Sequence, residues 1–221
     1  EEEAEDDEED EEDEADGALE VGGSQPSSKS GRWIAFDARA LRVRQSTWEV
    51  MLDLKRKNLT ARKLESSLND TFFEALCRKM EQCQPDEPDC RYFDLDISEN
   101  ELGLAGIRAM VDFLKRLHRV EPPICVRSLR TFRNRLGDEG ALVIAELILS
   151  QPYPITEIHL SHNKLTGMGA AAVVLSTGAV FGRYPFPLAP KYLRYAGCWM
   201  RLEQNDVLAP DALVTAIQST D

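Results

Sequence analysis

Apolar and polar residues alternate in short bursts along this chain, and each burst is followed by an apolar rhythm of three and four residues. The sharpest example is Ile155-Thr-Glu-Ile158-His-Leu160-Ser-His-Asn163-Lys-Leu165-Thr-Gly-Met-Gly169. Its period-two stretch predicts a strand, and Ala170 to Leu175 predict a helix after it. Three weaker copies share the pattern. Leu95-Asp-Ile97-Ser-Glu-Asn100-Glu-Leu102 leads through Gly106 to Ile107, Met110, Phe113, Leu114 and Leu117. Leu129-Arg-Thr131-Phe-Arg-Asn134-Arg-Leu136 leads through Gly140 to Leu142, Ile144, Leu147 and Ile148. Met200-Arg-Leu202-Glu-Gln-Asn205-Asp-Val207 leads through Asp211 to Leu213, Val214 and Ile217. A short strand points alternate residues to opposite faces, so the leucine-type positions turn inward. An asparagine carries both donor and acceptor groups, so it can satisfy backbone where the chain turns inside a stack. Asn100, Asn134, Asn163 and Asn205 are expected to form such a ladder. The glycines at 106, 140 and 169 are expected to allow close approach at each helix start.

Upstream, Trp33 to Asp53 mixes apolar and basic residues and predicts a helix or strand that covers the first repeat, since stacked repeats otherwise end on exposed core. Asn58-Leu59-Thr60 reads as the opening of a degenerate repeat. Phe72, Phe73, Leu76, Cys77 and Met80 predict a helix over about 70–83, capped by Asn69 or Asp70. Gln84 to Asp89 holds two prolines and reads as a loop.

The pattern Leu-x-Leu-x-x-Asn-x-Leu-x-x-x-Gly, followed by an Ala- and Leu-rich helix, resembles the ribonuclease-inhibitor-like subclass of leucine-rich-repeat proteins. The resemblance covers about residues 90–218. It implies an α/β solenoid, a right-handed βα superhelix with parallel strands on the concave side and helices on the convex side. It also implies binding through concave strand residues and through loops that break the repeat. The chain departs from the pattern at three places. Thr131 sits at an inward position, Asp211 replaces the glycine, and the asparagine spacings of 34, 29 and 42 residues make the third gap long. The extra length, at 176–198, holds Phe181, Tyr184, Phe186, Tyr192 and Tyr195 among prolines and basic residues. Two readings stand: an insertion that folds back over the last strand, or a binding loop of the aromatic and basic kind that interfaces favour. Strand alternation places Asp94, Asp96, Ser98, Ser128, Arg130, Phe132, Glu157, His159, Ser161, Trp199, Arg201 and Glu203 on the concave face. An exposed Phe132, His159, Trp199 and Arg201 on neighbouring strands, with Arg130 beside them, form the candidate partner surface, joined by Tyr184, Tyr192 and Tyr195 from the insertion.

Charge divides the chain further. The net charge is −13, but residues 1–16 hold 14 acids; taking these from the chain's 39 leaves 25 acids against 26 bases. A like-charge block buries nothing, so residues 1–31 read as a disordered acidic tail and a Gly/Ser linker. Residues 32–89 read as a capping region with a degenerate repeat, and 90–221 as the repeats. The tail suits a basic protein partner. It does not suit nucleic acid, and Lys55-Arg-Lys57 is a small basic patch. No apolar run reaches membrane-spanning length. Five cysteines at irregular spacings read as reduced thiols of a cytoplasmic or nuclear protein. The chain does not begin with Met and reads as a fragment.

Candidate chemistry is sparse. Asp94-Leu-Asp96-Ile-Ser98 resembles the start of a calcium loop, but Glu99 and Ala105 stand where glycine and glutamate are needed. His159 and His162, three apart on a strand, are expected on opposite faces and so do not share a metal readily. No phosphate loop, nucleophile elbow or paired catalytic carboxylates occur. We therefore expect no metal, no cofactor and no enzyme activity, and a protein-interaction module that binds through the concave face and the 176–198 loop. The alternatives are a Ran-type GTPase-activating protein or the regulatory repeat region of a larger enzyme.

Overall fold

The computed structural model describes residues 40–44, 49–85, 89–180, 184, 186–189 and 194–219. The acidic tail and linker, Trp33, Trp48 and Tyr192 lie outside these residues. The elements follow the order β1 (Leu41–Arg44), β2 (Glu49–Asp53), α1 (Ala61–Ser67), α2 (Asp70–Cys83), β3 (Arg91–Asp96), α3 (Leu104–Leu117), β4 (Ile124–Arg130), α4 (Gly137–Ser150), β5 (Glu157–His159), α5 (Gly167–Ala179), β6 (Phe186–Ala189), β7 (Arg194–Ala196), β8 (Trp199–Arg201) and α6 (Pro210–Gln218). Six strands form one sheet in the order β1-β2-β3-β4-β5-β8, while β6 and β7 form a separate antiparallel hairpin. Within the six-stranded sheet every pairing after β2 is parallel, and β1 alone runs antiparallel to its neighbour. The chain is an α/β repeat solenoid.

The core lies between the sheet and its helices. Leu52, Leu95, Leu129 and Ile158 stack in register along the inner face of the sheet, and Leu54, Ile97, Thr131 and Leu160 form the next layer. Thr131 is fully buried at its inward position, and its hydroxyl lies 3.5 Å from the His159 carbonyl. The described residues of the capping segment form β1 and β2, and the first repeat begins earlier than Asn58. Leu52 pairs with Leu95, so Lys57, not Asn58, stands at the asparagine position. Its backbone still joins the ladder, because Asn100 Oδ1 accepts from Lys57 N at 2.9 Å and Leu59 N at 3.1 Å.

The ladder then repeats across the stack. Asn134 Oδ1 accepts from Asn100 N and Leu102 N, and Asn205 Oδ1 accepts from Asn163 N and Leu165 N. Each amide nitrogen donates to nearby carbonyls, as Asn134 Nδ2 does to Ile97 O and Thr131 O. One rung is missing. Asn163 Oδ1 is buried with no donor among the described residues. In most turns the residues flanking the asparagine position are left-handed: Arg56 and Asn58, Glu99 and Glu101, His162 and Lys164. After Arg133 the second left-handed residue moves on to Gly137, at φ +59°. That altered turn holds its N–H groups elsewhere, Arg135 N on Leu102 O and Gly137 N on Asn163 O.

Helix starts are tight. A Cβ on Gly106 would lie 2.8 Å from Leu102 Cδ2, one on Gly140 2.8 Å from Leu136 Cβ, and one on Gly169 would run into the Asp138 carboxylate. That carboxylate caps the neighbouring repeat: Asp138 Oδ1 accepts from Thr166 N and Gly169 N, and Oδ2 from Thr166 Oγ1. The helix of the Ile155–Gly169 repeat, α5, is longer than the sequence predicts. It runs on to Ala179, so the insertion proper begins at 180.

Candidate functional site

The sheet register sorts the concave side chains into rows that cross the strands. One row runs Arg42, Met51, Asp94, Ser128, Glu157, Trp199; the next runs Asp53, Asp96, Arg130, His159, Arg201. Adjacent strands lie ~4.8 Å apart, so each row is a line of touching neighbours. Opposite charges meet along and between the rows. Arg130 Nε donates to Glu157 Oε1 at 2.9 Å and its Nη2 to Oε2 at 3.0 Å, while Ser128 Oγ donates to the same carboxylate at 2.8 Å. These bonds, the Arg130 one first, hold the Glu157 carboxyl below the usual carboxylate range.

A bulge places a further arginine here. The register slips between Phe93 and Asp94, so Phe93 faces Val126 while Asp94 faces Ser128. Arg127, the extra residue, forks onto both oxygens of Asp94 at 3.0 and 2.8 Å and reaches Glu49 at 3.0 Å. Strict alternation would turn Arg127 inward, and sequence reasoning missed it. The available signal was its spacing of three from Arg130, which puts both on one face only if the strand is bulged. Arg42, Glu49, Met51, Asp94, Arg127, Arg130 and Glu157 border a depression of about 590 Å³. Its charges are largely consumed by one another.

The aromatic half of the face differs from expectation. Phe132, His159 and Arg201 are half-buried, not exposed, and Trp199 alone of the four is exposed. The Phe132 ring stacks on His159 with centroids 4.8 Å apart, and Lys55 Nζ lies 4.8 Å from its centroid. Burial first, and then the Arg201 charge, hold the His159 imidazole below its ordinary range. Asp96, Ser98, Ser128 and Ser161 are buried beneath their longer neighbours, so these outward positions offer a partner little. Trp199 is 55% exposed, with the Arg201 guanidinium 5.7 Å from its ring and Arg201 itself bonded to Glu203. His162 is not on a strand. β5 ends at His159, and a left-handed turn (φ 57°) brings His162 to the same depression that His159 lines.

The described part of the insertion includes Tyr184 and the β6–β7 hairpin. Tyr184 belongs to the scaffold: its hydroxyl donates to Ile155 O at 3.1 Å and accepts from Ile155 N at 2.7 Å, and it packs against the core. Tyr195 lies on β7. Cys198 is largely covered, and burial pushes its thiol up to about 12. Asp94 and Asp96 spend their oxygens on Arg127 and on the Ser98 amide. Among the described residues no group of three or more His, Cys, Asp or Glu could hold a metal ion, and no helix is long and apolar enough to cross a membrane.

A family model described as a leucine-rich repeat matches residues 154–174, the stretch of β5, its asparagine turn and the first part of α5. No curated protein matches the chain.

Proposed function

We propose that this chain is a non-enzymatic protein-interaction module, a scaffold or regulatory subunit whose concave face carries the contact. Leucine-rich repeats commonly mediate protein–protein contact. The observation that carries the reading is the Trp199–Arg201 pair on β8. There an exposed indole and a guanidinium sit side by side on the sheet face, the residue types that dominate interface energetics. Arg130, Phe132 and His159 continue the surface across β4 and β5. They stand as a pre-ordered floor rather than as free groups, which lowers the entropic cost of docking. The free thiols of the chain suit a cytoplasmic or nuclear setting.

The test is affinity capture from source cells with the full chain against Trp199→Ala/Arg201→Ala, with quantitative identification of what is bound. Partners that bind the parent and disappear with the double variant support the concave site; an unchanged partner set refutes it. A Ran-type activating role fits the geometry less well, because Arg127, Arg130 and Arg201 are each already held by carboxylates. Small-GTPase hydrolysis unchanged by added protein is the expected result.

A further inference from the structure

The loops that follow β2, β3, β4 and β5 form one rim of the concave face. Along it the balance of charge changes. Lys55, Arg56 and Arg133 all converge on the single carboxylate of Glu99, at 3.3, 2.8 and 3.8 Å. One anion among three cations leaves an excess of positive charge. Lys57 and Lys164 add to it, being exposed and without a carboxylate partner among the described residues, whereas Arg135 is matched by Glu101. In sequence the basic run at 55–57 is small. The solenoid extends it by stacking Arg133 and Lys164 beside it.

We propose that this rim seats an acidic segment of a partner protein. From the loop of Lys57 to that of Lys164 is three strand intervals, ~14 Å, which an extended peptide covers in about four or five residues. The ligand is therefore a short Asp/Glu run lying across the loops. Its carboxylates meet Lys57, Arg56, Arg133 and Lys164, and its backbone N–H groups meet the interleaved Glu99. Nucleic acid fits worse for two reasons. The Phe132 ring at the rim's floor is already stacked on His159 and covered by Lys55, so it offers no bare face to a base. The Glu99 and Glu101 carboxylates, together on the loop after β3 between the cations, would oppose a phosphate there, where a peptide offers an N–H.

The proposal rests on the reading of the chain as a protein-binding module. It is tested with a fluorescein-labelled hexaglutamate peptide, read by anisotropy on the full chain at about 50 mM salt, where surface charges are weakly screened. The glutamine peptide of equal length and a labelled hexauridylate serve as comparisons. Lys57→Glu/Arg133→Glu/Lys164→Glu is expected to weaken hexaglutamate binding at least about tenfold, since like charge across a contact is strongly unfavourable. The triple Arg62→Glu/Arg78→Glu/Arg119→Glu changes net charge equally and is expected to shift it less than about twofold, its charges lying on α1, on α2 and after α3 rather than on the rim. Circular dichroism verifies that both triples fold. No binding of hexaglutamate to the parent chain overturns the proposal, as does equal loss in both triples or tighter binding of hexauridylate. If hexaglutamate fails while Trp199→Ala/Arg201→Ala still loses its partners, the rim assignment alone falls.

Discussion

At the scale of single residues, the asparagine ladder sets the energetics of the turns. Asn134 serves five backbone groups, accepting from two N–H groups and donating to three carbonyls. Asn134→Ala strands the Asn100 and Leu102 N–H groups, each orphaned buried group costing ~1–3 kcal/mol before relaxation, while the Ile97, Thr131 and Phe132 carbonyls keep bonds from Asn100 Nδ2, Asn163 Nδ2 and Glu99 N. We expect a net loss of about 2–4 kcal/mol in urea denaturation, in the range of a disrupted buried network. Asn205 makes the same kinds of bond but is only part-buried, so water can replace its amide; Asn205→Ala should cost about 1 kcal/mol. A second residue-scale test uses pH. Burial drives the His118 imidazole down to about 4 from an ordinary 6.5, against a smaller opposing effect of its Gln151 contact. The unfolded chain takes up a proton near 6.5 and the folded chain resists until about 4. Stability is therefore full above 6.5 and is lost as pH falls through that window. Melting temperature should drop more between pH 7 and pH 5 in the parent than in His118→Gln; equal drops would remove His118 as a cause.

At the scale of elements, repeats are joined by contacts that a reader of one repeat at a time does not see. Asp138 lies in the first turn of α4 yet caps α5, and its bonds to Thr166, the largest influence, hold its carboxyl below the usual range. Asp138→Ala should cost about 1–2 kcal/mol, as removal of an N-cap does, while Glu139→Ala in the same turn, pointing to solvent, should be nearly neutral. A thermal melt of the two variants decides it. This is also where legibility ends. Asparagine spacing revealed β3, β4, β5, β8 and their helices, because turn chemistry and strand alternation are local signals. Lys57 concealed the first repeat, since its backbone alone occupies the asparagine position. The bulge at Arg127, the stack of Phe132 on His159 and the anchoring of Tyr184 to Ile155 depend on which residues neighbouring strands and loops bring together. None is periodic in the sequence, so the candidate site was legible as a set of strand positions and not as an arrangement of paired and free groups.

At the scale of the molecule, burial declines along the stack. β3 and β4 are long, and α3 and α4 each bury a full face; β5 and β8 are three residues each, and α6 buries none of its residues. Leu208 and Val214 are exposed near α6, and Leu142, Leu149, Met168 and Leu175 form apolar positions on the convex side of α4 and α5. α5 carries no charged residue at all, unlike α3, whose outer face presents Arg108, Asp112 and Lys115. In a repeat array each unit is held by its neighbours, so local stability follows this decline. Backbone amides of β3 and α3 should exchange with deuterium only through global opening, while those of β8 and α6 should exchange at least about tenfold faster through local opening. Uniform protection along the stack would contradict this.

The antiparallel β1 turns that gradient into a direction. It closes the edge of β2 with a complete ladder from Leu41–Leu52 to Arg44–Glu49, whereas β8 is held by three parallel pairs to β5. Opening therefore starts at β8 and travels toward β1, as a zipper with one end sewn. Trp199 and Arg201 ride on its loose end. A partner that grips them acts as the missing stitch, and the slowing of exchange in β5 behind them measures how firmly it holds.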